Sequence, residues 1–203
     1  MLAIPNSQLD TWTSLGSVAQ SRDTYATIAR VLESPNAPYA KRNFDVFLQG
    51  SYKNNTNIYG DSDVDIVIRQ KSCFYYDLDK LSEPEKAEFK RVHPHPAEYT
   101  LRHFKEEVAS WLAFNYPDDF DDKGGKALYI KTRNSRRNAD VLVAAQHKQF
   151  TTFRDPATQE WADGIIFFPR GGGEIINYPK QHKRNLTARH KQTNEWLKPT
   201  IRA

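Results

Sequence analysis

The chain has 203 residues, of which 38% are hydrophobic and 12% aromatic, so it is long enough for one domain with a substantial core. Its net charge of +4 suits a polyanionic substrate and does not require nucleic acid. Cys73 is the only cysteine, which excludes an intramolecular disulfide and a cysteine zinc cluster. The sequence shows no signal-peptide pattern and no apolar run that would span a bilayer, so we expect a cytoplasmic protein that does not act at a membrane.

The first half of the chain is predicted to contain a long helix and two strands. Apolar residues at three- and four-residue spacings predict the helix over Ser7 to Glu33. Alternating apolar residues predict a strand from Phe44 to Leu48. Gly50 and Ser51 then turn the chain, and a second strand is predicted from Asp63 to Ile68.

In the second half, two helices, four strands and a basic helical end are expected. The helices are predicted over Ser82 to Val92 and Glu98 to Phe114. The four strands are predicted at Ala127–Lys131, Asp140–Ala145, Ile165–Phe168 and Glu174–Tyr178, the last two as a hairpin. The chain after Pro179 is predicted to be helical, and Trp196 is expected to pack into the core.

Two aspartates at the start of the second strand are the most informative feature of the sequence. Asp63 and Asp65 are two residues apart, so in a strand both side chains point to the same face. Neighbouring carboxylates repel each other unless a cation lies between them, and Mg²⁺ prefers such oxygen ligands together with substrate phosphates. Gly50 allows backbone to approach a phosphate, and Ser51 offers an N–H and a hydroxyl. The pattern predicts a metal site for phosphoryl or nucleotidyl transfer; two charges on a surface strand are the alternative.

Asp140 supplies a third carboxylate, because it opens an apolar run that reads as a neighbouring strand. Three carboxylates can hold two magnesium ions about 3.5–4 Å apart, one at the nucleotide phosphates and one at the attacking hydroxyl. Asp140 could also accept the proton of that hydroxyl; a surface aspartate at a strand start is the alternative. The pair His93 and His95 is expected to lie in an exposed loop instead of binding metal, and 171–173 to form a hairpin turn instead of a phosphate cradle.

Two basic segments could line a nucleotide cleft. Residues 123–137 hold six Lys or Arg and no acid, and residues 179–203 hold seven with one acid. Such clusters attract nucleoside triphosphates, but solvated helix faces and loops have the same composition. The sequence leaves both interpretations open.

The combination of Gly50-Ser51, Asp63-x-Asp65 and a distant Asp140 resembles the DNA-polymerase-beta-like nucleotidyltransferase superfamily. The longer string from Phe47 to Asp65 is similar to the bacterial cGAS/DncV-like nucleotidyltransferases (CD-NTases) of CBASS anti-phage systems. Further similar segments are Asn138–Val141, Ile176–His182 and Lys198–Arg202. The resemblance covers essentially the whole chain.

This resemblance implies an α+β fold, with a polymerase-beta-like core of a mixed twisted sheet and flanking helices. The core with its N-terminal spine helix would span residues 1–178, and a helical second lobe would begin over 179–203. The implied activity is synthesis of a cyclic or linear oligonucleotide second messenger from nucleoside triphosphates, ATP among them. By the same resemblance Asp63 and Asp65 would bind two Mg²⁺ or Mn²⁺ ions and Asp140 would complete the second site. The substrate-binding residues would be Gln49, Gly50 and Ser51.

Relatives in this family continue past the residues that match Lys198–Arg202, through further helices of the second lobe. The lobe here is therefore expected to be partial, and either those helices or an activating partner protein would complete the nucleotide pocket. Two other functions stay open: nucleotidyl transfer to RNA, a protein or a small molecule, and a truncated, inactive nucleotide-binding module. Nothing in the sequence requires nucleic acid as a partner.

Overall fold

The computed structural model describes residues 18–50, 63–134 and 136–202. The described residues form helices and strands in the order α1 Val18–Leu32, β1 Phe44–Leu48, β2 Val64–Asp77, α2 Glu83–Val92, α3 Leu101–Asn115, β3 Phe120–Asp121, β4 Leu128–Ile130, β5 Ala139–Phe153, β6 Gln159–Phe167, β7 Ile175–Asn177, α4 Pro179–Gln192 and α5 Leu197–Arg202. Among these residues, no helix is both long and apolar enough to cross a membrane.

The strands form one mixed sheet with β2 and β5 at its centre. The order β1-β2-β5-β4-β3 forms one end, while β6 pairs with the later part of β5 and β7 pairs with β6. β2 and β5 are parallel to each other, and the other strand pairs are antiparallel. The fold is therefore α+β with a mixed sheet, as expected, and the predicted hairpin is confirmed by β6 and β7.

One face of the sheet is covered by α1 and α3. Side chains at alternate positions of β2 and β5 pack there against the apolar stripes of both helices. This cluster includes Ile28, Leu32, Val64, Ile66, Ile68, Phe104, Val108, Leu112, Val141 and Val143. Because burial of a large aliphatic or aromatic side chain contributes roughly 1.5–3 kcal/mol, this face supplies most of the core's stability.

The opposite face of the sheet is more polar. A small cluster of Val67, Ala144, Ile165 and Phe167 packs there with few partners. Since side chains alternate along a strand, Asp65 and Arg69 of β2 share this face with Val67. The sheet therefore presents acidic side chains on the side that α1 and α3 leave uncovered.

A buried arginine network joins four strands and the start of α4. The Arg69 side chain is 6% exposed; its Nε donates to Asp45 Oδ1 at 2.8 Å and its Nη1 donates to Asp163 Oδ1 at 2.9 Å. Asp163 also accepts hydrogen bonds from Gln146 at 2.9 Å and from the Lys180 ammonium at 2.7 Å. A buried cation needs such partners, because an uncompensated charge in the interior is costly.

Loss of the Asp163 carboxylate is expected to destabilise the fold in a pH-dependent way. Burial alone would raise the pKa of Asp163, but hydrogen bonds from Lys180, Gln146 and Arg69 lower it to about 2. The contribution of the Asp163 carboxylate to the free energy of unfolding is therefore complete above pH ~4, the ordinary aspartate pKa, and is lost as the pH falls toward 2. Urea unfolding of Asp163→Asn should show a loss of about 1.5–3 kcal/mol at pH 7 that shrinks at pH 3. The exposed Glu160→Gln on the same strand is the control; equal stability of Asp163→Asn and the native protein at pH 7 would contradict the prediction.

Several boundaries differ from the sequence predictions. β2 and β5 continue to Asp77 and Phe153, well beyond Ile68 and Ala145, because partners from other elements bury their later residues. The helix predicted from Glu98 begins at Leu101, where the Thr100 side chain caps it. Residues 7–17 of the predicted first helix lie outside the described residues.

The expectation that Trp196 packs into the core is wrong. Its side chain is 69% exposed, and α4 buries no residue in the described part of the chain. α4 and α5 contact each other, and α4 contacts the sheet at β6. The indole therefore has no apolar surface to pack against there.

Candidate active site

The register of the central parallel strands brings the predicted acidic residues together. Asp65 of β2 lies directly opposite Asp140 of β5. Asp63 immediately precedes β2, where the Val64 N–H donates to the Asn138 carbonyl at 3.0 Å and fixes the entry of the strand. Three carboxylates from two distant parts of the sequence thus meet at one end of the exposed sheet face.

The electrostatics of this cluster reflect crowding of like charges. Burial raises the pKa of Asp65 to about 6, with the charges of Asp140 and Asp63 adding to the effect. Burial, and then the charge of Asp63, also raises the pKa of Asp140. Burial and neighbouring negative charge therefore make ionisation of Asp65 and Asp140 unfavourable, and a cation at this point would relieve the repulsion.

The donor set fits a hard divalent cation. Carboxylate oxygens are the ligands that Mg²⁺ prefers, and Asp65 and Asp140, whose pKa values are raised by burial and by neighbouring carboxylates, carry negative charge that a metal would neutralise. In the described ranges, however, no three His, Cys, Asp or Glu side chains are gathered closely enough to hold an ion as they stand.

Gly50 packs directly against the Asp65 carboxylate. A Cβ atom on Gly50 would lie 1.9 Å from Oδ2 of Asp65, and the residue has a φ of 72°, in the left-handed region. Only glycine meets both conditions without strain. The turn predicted to hold a phosphate is therefore in contact with a predicted metal ligand, while Ser51 lies outside the described residues.

Gln49 ties the same turn to β2. Its backbone N–H donates to the Asp65 carbonyl at 2.9 Å. Its side-chain Oε1 is buried and has no hydrogen-bond partner among the described residues. A buried acceptor without a donor is unusual in a folded protein, so the Gln49 side chain is an unsatisfied polar group beside Gly50.

A cavity of about 520 Å³ lies beside Asp140 and is lined also by Asp121, Lys126 and Tyr129. Tyr129 lies opposite Asp140 in the β4–β5 register, on the same sheet face. The sequence analysis missed Tyr129, although one signal was present: it alternates with the apolar Leu128 and Ile130, which are buried. A polar ring between two buried neighbours on a strand indicates a side chain that faces the other side of the sheet.

The basic segment 123–137 divides between a cleft and local ion pairs. Lys126 lines the cavity beside Asp140. Arg133 instead pairs with Asp118 at 3.1 Å, and Arg136 pairs with Asp119 at 2.7 Å. Lys126 is therefore placed where a basic cleft would need it, whereas these two arginines pair with acidic residues that lie just before the segment.

The chain is similar to proteins named as cyclic nucleotide synthases. No family model matches the sequence. The chain is 34% identical over 204 aligned residues to the cyclic nucleotide synthase CdnE01 of Staphylococcus haemolyticus, covering 99% of this chain and 67% of the relative. It is 35% identical to the cyclic UMP-AMP synthase of Rhodothermus marinus, covering 99% of this chain and 66% of the relative.

The solved structure of Rhodothermus marinus CdnE c-UMP-AMP synthase with Apcpp and Upnpp superimposes with a TM-score of 0.79 at 34% identity, over 98% of this chain and 65% of that one. The chain belongs to the CD-NTase family, among the CdnE cyclic nucleotide synthases. It spans about two thirds of the length of these relatives.

Proposed function

We propose that this chain carries the catalytic centre of a nucleotidyltransferase that joins nucleoside triphosphates into a cyclic or linear oligonucleotide signal for anti-phage defence. The observation that carries the proposal is the register of Asp65 opposite Asp140, with Asp63 close enough to perturb both, beside an open cavity. Membership of the CdnE synthases supports the same reaction class.

In the proposed site, Asp63 and Asp65 hold two Mg²⁺ or Mn²⁺ ions and Asp140 completes the second position. When bound, such ions neutralise the developing charge on the phosphates and make a hydroxyl more acidic. The Gly50 turn, with Gln49 and Ser51, holds the donor triphosphate.

The chain's own groups then orient and deprotonate the acceptor. The pKa of Asp140 is raised by burial and by Asp63, which makes this carboxylate a better proton acceptor for the attacking ribose hydroxyl. The hydroxyl oxygen forms a bond to the donor α-phosphorus, the bond from that phosphorus to the bridging oxygen of the β-phosphate breaks, and pyrophosphate leaves.

The proposed substrates are nucleoside triphosphates, with ATP among them. Apcpp and Upnpp in the solved Rhodothermus marinus relative support this class. Lys126, beside Asp140, supplies positive charge for the phosphates. We also propose the division into a core over 1–178 and a helical lobe from 179, completed by further helices or an activating partner, in a cytoplasmic protein.

The proposal is tested by incubating the purified protein with labelled nucleoside triphosphates and Mg²⁺ or Mn²⁺ and measuring products by mass spectrometry. A phosphatase-resistant oligonucleotide is expected, and Asp140→Asn should reduce its rate by about a hundredfold or more, the contribution typical of a positioned base. Asp77→Asn, at the far end of β2, is the matched control and should retain activity. Label on RNA, protein or a small molecule would favour another acceptor. ATP binding without any product would favour a nucleotide-binding module.

A further inference from the structure

A second cavity, of about 480 Å³, lies on the sheet face opposite the acidic cluster. Its lining includes Leu128 and Val143, whose side chains belong to the core beneath α1 and α3. The N-terminal half of α3 forms one wall and the chain around Phe168 forms another. The volume is within the range of roughly 300–1,000 Å³ that is usual for small-molecule sites.

The interior of this cavity is apolar and partly aromatic. Leu101 and Ala109 of α3 face it together with Val143. The rings of Tyr75 and Phe168 contact each other with centroids 5.4 Å apart, and Phe168 is 40% exposed. An exposed phenylalanine beside a tyrosine offers a surface on which a flat aromatic group can pack.

Positive charge exceeds negative charge at the mouth of the cavity. Arg102 and Glu106 of α3 pair with each other at 3.1 Å. Lys105 directly precedes Glu106 on α3 and is half-buried. It has no ion-pair partner among the described residues. Arg170 and Asp122 add one charge of each sign, so Lys105 leaves a net positive charge facing the opening.

One short segment forms a wall of both cavities. Gly124 and Ala127, between β3 and β4, line this cavity and also the cavity beside Asp140. Arg170 fastens the segment, because its backbone N–H donates to the Gly125 carbonyl and its Nη2 donates to the Asp122 carbonyl, each at 2.8 Å. A group bound on one side of this segment therefore limits where the segment can lie on the other.

We propose that the cavity between α3, the β3–β4 segment and Phe168 binds a small aromatic anion, with the ring on Phe168 and Tyr75 and the negative group at Lys105. We further infer that an occupant restrains the β3–β4 segment beside Asp140 and so alters the acidic site. This second step rests on the function proposed above; the binding step does not.

Binding is tested with 2-naphthoate, an aromatic monoanion, and with 2-naphthalenemethanol, its uncharged counterpart, by calorimetry on the full chain. Naphthoate is expected to bind about tenfold more tightly, since a hydrogen bond to a charged group contributes at least that factor. Lys105→Gln should remove the difference, and Ala109→Trp should fill the cavity and abolish binding of both compounds. Lys183→Gln, an exposed lysine on α4, is the control and should change nothing. Equal affinity for the two compounds, or unchanged binding in Ala109→Trp with a native melting temperature, would overturn the proposal.

Coupling is tested by titrating Mn²⁺ alone, with and without saturating 2-naphthoate, and following the water-proton relaxation rate. A change of at least about fivefold in Mn²⁺ affinity is expected, because coupling between two sites is typically 5–150-fold. An unchanged Mn²⁺ affinity with naphthoate bound would overturn the second step. If Mn²⁺ does not bind at all, the metal site of the proposed function fails, while the naphthoate measurement still decides the new site.

Discussion

Replacing Asp65 by Asn is expected to abolish nucleotidyl transfer and, at the same time, to raise the stability of the metal-free protein. Metal ligation supplies several kcal/mol of charge stabilisation, so product formation should fall by about a thousandfold. Stability should rise because burial, Asp140 and Asp63 raise the pKa of Asp65 to about 6. Between pH ~4 and ~6 the folded state binds more protons than the unfolded state. The loss of stability caused by the ionised Asp65 carboxylate is therefore absent below this range and complete above it.

The stability effect is measured by thermal unfolding in EDTA at pH 7.5 and pH 4.5. Asp65→Asn should exceed the native protein by about 1–2 kcal/mol at pH 7.5 and by little at pH 4.5. Asp77→Asn, on the same strand, is the matched control, and its expected change in stability has the opposite sign. Hydrogen bonds from Gln149 and from the Asp79 N–H lower the pKa of Asp77, so its neutralisation should destabilise the protein while activity persists. A less stable Asp65→Asn protein at pH 7.5 would refute the idea that charge crowding defines this site.

The sequence predicted the types and order of the elements wherever the pattern is local. The alternation of Phe44–Leu48 appears unchanged as β1, and Pro179 opens a helix as expected. The extension of β2 past Ile68 was not predictable, because Arg69 and Gln70 are buried polar residues that break the apolar alternation. Arg69 is tolerated only through Asp45 and Asp163, which are 24 and 94 residues away along the chain.

In the candidate site, too, local spacing predicts some features, while others depend on the tertiary fold. The spacing of Asp63 and Asp65 predicts a shared face from two residues alone. The apolar run after Asp140 predicts a neighbouring strand, but the position of Asp140 directly opposite Asp65 depends on parallel pairing across 75 residues, which no local pattern specifies. The contact between Gly50 and the Asp65 carboxylate had no sequence signal, because it depends on how the chain that leaves β1 passes beside β2.

The contact between Gly50 and the Asp65 carboxylate predicts that a single added methyl group at Gly50 strongly reduces product formation. Gly50→Ala would place Cβ 1.9 Å from Oδ2 of Asp65, so the carboxylate has to move away from its position opposite Asp140. Displacement of a catalytic group by about 1 Å can reduce a rate by roughly a hundredfold, and we expect at least that loss of product formation. The positive φ of 72° adds a stability cost of about 1–2 kcal/mol for alanine.

Gly172→Ala separates the two effects. Gly172 has a φ of 88°, so alanine meets a similar backbone strain there, but a Cβ atom would have no neighbour within 4 Å. Both variants should therefore lose about the same stability in urea unfolding, while only Gly50→Ala should lose product formation and Mn²⁺ affinity. If Gly50→Ala retained native activity and native Mn²⁺ binding, the Asp65 carboxylate would not need its position against the glycine turn, and the assignment of this turn and this carboxylate to one active site would be wrong.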